Sequence, residues 1–292
     1  MIKMENRLPG YDPRQVMDRS DYEITHKRDN YLKDVELHHH DFYEVYYLVS
    51  GDVTYTIEGR LCRVMPGDML IISPRELHQV QIQPDMAPYE RYVLWIDPRL
   101  LERLSTHGAP LSRCFDIATR DYVNVLHLNS AQRSTVRSLM EDILTETESA
   151  EYGSDLMCNA LLTRLMVLVN RIVPQSGPQP EEHTHFNPMV SGVIDHINDH
   201  YGEALSLDTL AERFFVSKYH LSHEFNRHMG ISVYRYIQKK RLQMARQLLA
   251  QGHKPTRVGA TCGFGEYTGF YRAFKAEYGI SPREYAASVT GK

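Results

Sequence analysis

The sequence predicts an α+β protein: an N-terminal β-barrel or jelly roll with helices following it, then an all-α C-terminal domain built on two helix-turn-helix motifs. Three observations carry this expectation. Short runs rich in Tyr, Val, Ile and Thr, separated by turn signals, fill residues 22–96. Helical periodicity replaces them after residue 98. A Pro-rich stretch with little to bury, PQSGPQPEEHTHFNP, then interrupts the helices at residues 174–188.

The N-terminus, MIKMENRLPGYDPRQ, is polar and carries no apolar run, so no signal peptide is expected. The strand candidates are FYEVYYLV, DVTYTIEG, MLIIS, HQVQIQ and RYVLWI, with SGD, EGR, PGD, SPRE and QPDMAP as turns. Many short strands at near-regular spacing favour a barrel or jelly roll. A short helix is expected at 98–105, and longer ones at 130–149 and 154–173. In the last of these, Cys158, Leu161, Leu165, Leu168 and Ile172 recur at spacings of 3 and 4 and form an apolar seam. Leu162, Met166 and Val169 flank the seam, so the helix has apolar surface for its own barrel and for a second chain. A homodimer contact is expected there. The division is therefore barrel 1–97, helical region 98–173, linker 174–187 and helix-turn-helix domain 188–292.

Composition narrows the class. Hydrophobic residues make up 42% and charged residues 24%, as in ordinary globular chains. No apolar stretch reaches the ~20 residues that span a bilayer. The longest, LMCNALLTRLMVLVNRIV, is broken by Asn159, Arg164, Asn170 and Arg171. Cys62, Cys114, Cys158 and Cys262 form no C-x-x-C pair, which argues against a zinc module and a disulfide framework. A reduced, cytoplasmic chain is expected. The net charge of −4 hides an asymmetry: residues 186–292 hold 14 Lys and Arg against 9 Asp and Glu, while the rest is acidic. A polyanion partner would meet the C-terminal part.

In SLDTLAERFFVSKYHLSHEFNRHMG, residues 206–230, Ser206 can cap a short helix with Leu207, Leu210 and Ala211 on one face. Val216 and Ser217 make the turn. Leu221 and Phe225 face inward from a second helix that Gly230 ends. That helix exposes Lys218, Tyr219, Ser222, His223 and Asn226, all able to hydrogen-bond bases or phosphates. The pattern repeats in PTRVGATCGFGEYTGFYRAFKAEYGISPREY, residues 255–285. There CGFG makes the turn, Phe270 and Phe274 face inward, and Tyr267, Thr268, Tyr271 and Arg272 face outward. A helix from about Val233 to Leu249 joins the two units.

The last 90 or so residues resemble the AraC/XylS transcription regulators. CGF, FYRAFK and YGISPREY stand where that family has Gly-Phe, Phe-x-x-x-Phe-Lys and Gly-x-x-Pro-x-x-Tyr. Two positions depart from the pattern: Gly259 stands for a small helix former, and Gly269 for an aromatic inside the second recognition helix. The resemblance implies double-stranded promoter or operator DNA as the partner, with both recognition helices in successive major-groove segments. It implies base-facing roles for Tyr219, Ser222 and His223 in the first unit and for Tyr267, Thr268, Tyr271 and Arg272 in the second. Arg272 is the best candidate for a bidentate guanine contact, and Lys218 for a phosphate contact. Lys239, Lys240 and Arg241 read as structural pairing and solvated surface. RNA polymerase stays open as a further partner.

ELHHHDFYEVYYLVSG, residues 36–51, is the other chemical concentration. On a regular strand His38, His40, Phe42, Glu44 and Tyr46 share a face, with His39 on the other as an incidental residue. The spacing H-x-H-x3-E-x6-G matches the first motif of cupin barrels, and His78 stands where cupins place another inward histidine. Three readings compete: a metal-dependent cupin enzyme fused to a DNA-binding domain, a pocket hydrogen-bonding an organic effector, and a structural cluster. AraC-type sensor domains share the shortened second motif of this chain. That resemblance implies a small effector, often a sugar, and an attached DNA-binding module makes catalysis an unexpected output. The expectation is an effector site of His38, His40, Glu44, Tyr46 and His78, with no metal, no cofactor and no enzymatic activity.

Overall fold

The computed structural model of the chain describes residues 17, 19, 21–29, 35, 37–74, 76–82, 88–119, 122–173 and 187–290. The linker expected at 174–187 lies outside these except for Asn187. Seven strands come first: β1 (Tyr22–Asp29), β2 (Tyr43–Ser50), β3 (Val53–Ile57), β4 (Arg60–Val64), β5 (Met69–Ile72), β6 (His78–Ile82) and β7 (Tyr89–Ile96). Helix α1 (Pro98–Leu104), a 3-10 turn (Leu111–Phe115), strand β8 (Val125–Leu126) and helices α2 (Ser130–Glu148) and α3 (Ser154–Ile172) complete the N-terminal part.

The strands form two antiparallel sheets, ordered β1-β7-β2-β5-β8 and β4-β3-β6. Among the described residues no ladder joins them, so the jelly-roll form of the expectation holds and the closed barrel does not. Side-chain parity explains the architecture. Tyr46, Leu48, Leu70 and Ile72 point toward the smaller sheet and pack with Tyr55, Ile57 and Val80. Their neighbours Val45, Tyr47, Met69 and Ile71 point the other way, onto Leu139, Met140, Ile143, Leu162 and Leu165 of α2 and α3. The larger sheet's central strands β2 and β5 are buried on both faces because helices, not further strands, cover the second face, whereas the edge strand β1 stays partly or fully exposed along most of its length. The hairpin β3–β4 turns at Glu58 and Gly59, both with positive φ (45° and 79°), the turn form that suits right-twisted strands.

The expected seam on α3 divides. Cys158, Leu165 and Ile172 are buried in the chain's own core, together with Leu162, Met166 and Val169. Leu161 and Leu168 are only half-buried, while Leu156 and Met157 are exposed. Periodicity showed two apolar faces and could not say which one the sheet would take. The outer face forms a groove of about 680 Å3 between Leu104 of α1, Thr135 of α2 and Ala160, Val167 and Leu168 of α3.

The C-terminal part is helical: α4 (Pro188–His200), α5 (Leu207–Arg213), α6 (Lys218–Met229), α7 (Val233–Ala250), α8 (Pro255–Thr261), α9 (Tyr267–Tyr278) and α10 (Pro282–Thr290). Ser206 and Thr209 form a reciprocal capping box at the start of α5. Ser217 caps α6 by accepting from the His220 N–H at 3.1 Å. Gly230 and Gly279 end α6 and α9 in the left-handed conformation. Gly259 has a packing reason: a Cβ there would lie 3.0 Å from the Phe270 ring, so the backbone of α8 itself is the surface on which Phe270 rests. Gly269 has none, since a Cβ there would meet nothing within 4 Å. Gly269→Ala is therefore expected to raise stability by about 0.5–1 kcal/mol, read as a higher denaturant midpoint for the unfolding of the C-terminal part.

The two parts share an interface. Leu37 and Leu77 of the β-domain are buried in the same apolar cluster as Ile194, Leu221 and Tyr236. Lys240 donates to Glu58 at 2.8 Å, and Arg246 is ion-paired with Asp41. His39 Nε2 and the Tyr278 hydroxyl are hydrogen-bonded at 2.9 Å. His39 is thus no incidental residue: it faces away from its neighbours because it belongs to the contact between the two parts. Lys239 pairs with Glu277 at 2.7 Å, and Arg241 donates to the Tyr201 carbonyl at 2.8 Å, so all three of the clustered basic residues are structural.

Candidate functional site

Each helix-turn-helix presents its second helix outward. On α6 the Tyr219 and His223 rings lie parallel, 6.2 Å apart, and Tyr219 is 82% exposed. Ser222 is half-buried beside them. Lys218 is exposed and ion-paired with Asp208 of α5, so a phosphate would have to compete with that carboxylate. On α9, Tyr267, Thr268, Tyr271 and Arg272 are all exposed, with Tyr267 and Tyr271 rings 6.4 Å apart one turn along. The cause is local. Phe225 on α6 and Phe270 and Phe274 on α9 take the inward face completely, which leaves the intervening polar positions to solvent.

The β-domain holds a cavity of about 160 Å3 whose walls include His38, Glu44, Tyr46 and His78. Tyr55 of β3, Tyr89, Arg91 and Trp95 of β7, and Glu23, Thr25 and Lys27 of β1 are also among its lining residues. Sequence reading missed these residues, which come from β7 beside β2, β1 beyond it and β3 in the facing sheet, brought together only by folding. Their signal was faint: Arg91 and Trp95 alternate with apolar residues along RYVLWI and so share one face. The Tyr46 hydroxyl donates to the Tyr89 hydroxyl at 3.1 Å, and the Arg91 guanidinium sits 4.1 Å over the Tyr89 ring. Burial pushes the Tyr46 and Tyr55 hydroxyls well above their ordinary values, so both stay protonated.

The histidines do not lie on a regular strand as expected. β2 begins only at Tyr43, and His38 instead makes an isolated bridge with His78. The cluster forms because this segment crosses between the two sheets. His40 lies behind Glu44 and does not line the cavity. Its Nδ1 donates to the Phe42 carbonyl at 2.8 Å, and its Nε2 faces Glu44 Oε2 at 3.2 Å. Trp95 donates to the same oxygen at 2.9 Å. Burial works against ionisation of Glu44, but the hydrogen bond to His40 and the nearby imidazoles outweigh it and hold the carboxyl below its ordinary value. His78 Nδ1 donates to the Glu76 carbonyl at 3.0 Å. Burial, then the His40 charge, bring His78 down to about 4, so its ring is neutral at pH 7.

A small polar and aromatic cavity in a β-sandwich, coupled to two outward-facing helix-turn-helix units, defines a ligand-responsive DNA-binding regulator. The comparisons agree. Residues 22–166 match an AraC-like ligand-binding domain, and residues 210–288 match a helix-turn-helix domain. The chain belongs to the AraC family of transcription regulators. Its relatives include the HTH-type transcriptional activators RhaS of Salmonella agona (24% identical) and Escherichia fergusonii (26%), each aligned over 85% of this chain and 86% of the relative. Among solved structures, unsaturated fatty acid-bound ToxT from Vibrio cholerae covers 95% of this chain and 99% of its own, at 12% identity and a TM-score of 0.41. No helix among the described residues is long and apolar enough to cross a membrane.

Proposed function

We propose that this regulator is a cytoplasmic homodimer whose β-domain binds one small hydroxylated metabolite, of the sugar class, and that occupancy alters how α6 and α9 meet operator DNA. On this reading the protein is not an enzyme. The observation that carries the reading is the cavity. Its volume of about 160 Å3 is close to the ~150 Å3 that accommodates benzene, so a compact ring fits and a long acyl chain does not. Its walls alternate rings that can stack with groups that can bond hydroxyls. His38, Glu44, Tyr46 and His78, with Tyr55, Tyr89, Arg91 and Trp95, face the effector, and His40 acts through Glu44, which it holds from behind. Lys218, Tyr219, Ser222 and His223, with Tyr267, Thr268, Tyr271 and Arg272, form the DNA face.

The full chain is expected to retard its own promoter fragment in a salt-dependent manner. At least one monosaccharide at a hundred times its Kd should stabilise it by about 2.7 kcal/mol, read as a thermal shift. Glu44→Ala should remove that shift and leave promoter binding intact. A chain that ignores its promoter fragment at every salt concentration would reject the regulator reading. The proposed dimer contact is the outer face of α3. Leu156→Glu with Leu168→Glu should halve the mass seen by sedimentation while far-ultraviolet dichroism stays unchanged. An unaltered dimer moves the contact elsewhere.

A further inference from the structure

The two helix-turn-helix units close their turns with one hydrogen-bond pattern and different residues. In the second, the carbonyls of Val258, Ala260 and Gly259 accept from the N–H groups of Cys262, Gly263 and Phe264, at 2.9, 3.1 and 3.0 Å. In the first, the carbonyls of Leu210, Glu212 and Ala211 accept from Phe214, Phe215 and Val216, at 3.0, 3.2 and 3.0 Å. Gly263 of one unit is therefore the counterpart of Phe215 of the other, and both are left-handed, at φ 79° and 55°. Glycine takes that conformation freely, and a bulky side chain is strained in it. In the second unit glycine also leaves room for Arg241, whose guanidinium would lie 2.9 Å from a Cβ there. The first unit holds phenylalanine instead.

Nothing inside the chain compensates Phe215 for this strain. It is 95% exposed, while its neighbours Phe214 and Val216 pack on the core of the unit. Among the described residues the only other non-glycine with positive φ is Glu58, and its carboxylate accepts from the Leu77 N–H and from Lys240. A strained residue whose ring stays in water has its use in a complex. Its place indicates which one. Phe215 stands two residues before Ser217, the N-cap of α6, and a recognition helix meets base edges with its N-terminal residues. The next exposed aromatic along the chain is Tyr219, on the DNA face of α6. A phenyl ring offers a phosphate no hydrogen bond, and the apolar group that a major groove presents is the thymine C5 methyl.

We propose that Phe215 packs against a thymine methyl beside the bases met by α6, and so makes the first unit selective for an A·T pair at that position. The proposal rests on the reading of α6 as a recognition helix. It adds a determinant from the turn, outside the helix whose outward face the sequence pattern singled out.

The test compares the full chain with its Phe215→Gly variant on two forms of its promoter fragment, one with thymine and one with uracil at every thymine position. Uracil keeps the pairing and the groove acceptor and lacks only the methyl. By fluorescence anisotropy at fixed salt, the variant should bind the thymine form about tenfold more weakly than wild type. On the uracil form the two proteins should differ by less than about twofold, because the group that Phe215 meets is gone. The variant's denaturant midpoint should not fall, which separates a lost contact from a lost fold. Equal binding of the thymine form by both proteins would overturn the proposal, as would an equal loss on both forms. So would a variant that binds the promoter normally but no longer supports transcription by RNA polymerase, since the ring would then serve a protein partner. A lowered midpoint would show that the ring packs within the chain, and overturns the premise. Wild-type binding of the thymine form reports separately on the recognition-helix reading: if it is absent, that reading fails and this one with it.

Discussion

Phe270→Ala is expected to cost about 3–5 kcal/mol and to abolish promoter binding by the full chain. Phe270 is fully buried at the centre of the second helix-turn-helix. Its ring meets Phe264 at 5.3 Å and Phe274 at 5.6 Å between centroids, and it rests on the backbone at Gly259. Removing it leaves a void that the backbone of α8 cannot move in to fill without breaking its own hydrogen bonds. For a domain of ordinary stability, about 5–15 kcal/mol, such a loss is a large share of the total. Denaturant unfolding followed by fluorescence and dichroism gives the number. A cost under about 1.5 kcal/mol would show that the contact between α8 and α9 is not the tight one described.

Arg272→Ala should weaken specific binding by about 1–3 kcal/mol and relax preference at one base pair. The residue is exposed on α9 one turn beyond Thr268, on the face opposite Phe270 and Phe274. A guanidinium there can take the two acceptors of a guanine edge at once, a geometry that a lysine cannot reproduce. Competition binding against operators mutated one base pair at a time separates the two possible roles. Equal weakening on every sequence would assign Arg272 to a phosphate.

Much of the helical half was legible because its signals are local. Ser206, Ser217, Gly230 and Gly279 act within a few residues of where they stand, and the structure uses each as a cap or stop. The strands between Tyr43 and Ile96 were legible for the same reason. Partition into two sheets was not, since it depends on which strands pair across tens of residues. The cavity was half legible. His38, Glu44 and His78 stood out as polar residues in apolar surroundings, whereas Tyr55 and Tyr89 look like ordinary strand aromatics until a third element brings them to one wall. His39 shows the limit of parity arguments. Alternation correctly turned it away from its neighbours, but nothing local revealed Tyr278, 239 residues further on.

Three residues of one five-residue segment, 37 to 41, reach the two helix-turn-helix units between them. Leu37 is sunk in the core of the first, while His39 and Asp41 hold Tyr278 and Arg246 beside the second. DNA repeats its major groove every 34 Å or so, and two recognition helices read it together only if their separation and relative rotation match that period. On the proposed reading, in which α6 and α9 meet successive groove segments, this segment would act as a ruler: a displacement at His38 or His40 would change the phase between the two units and weaken the hold of both.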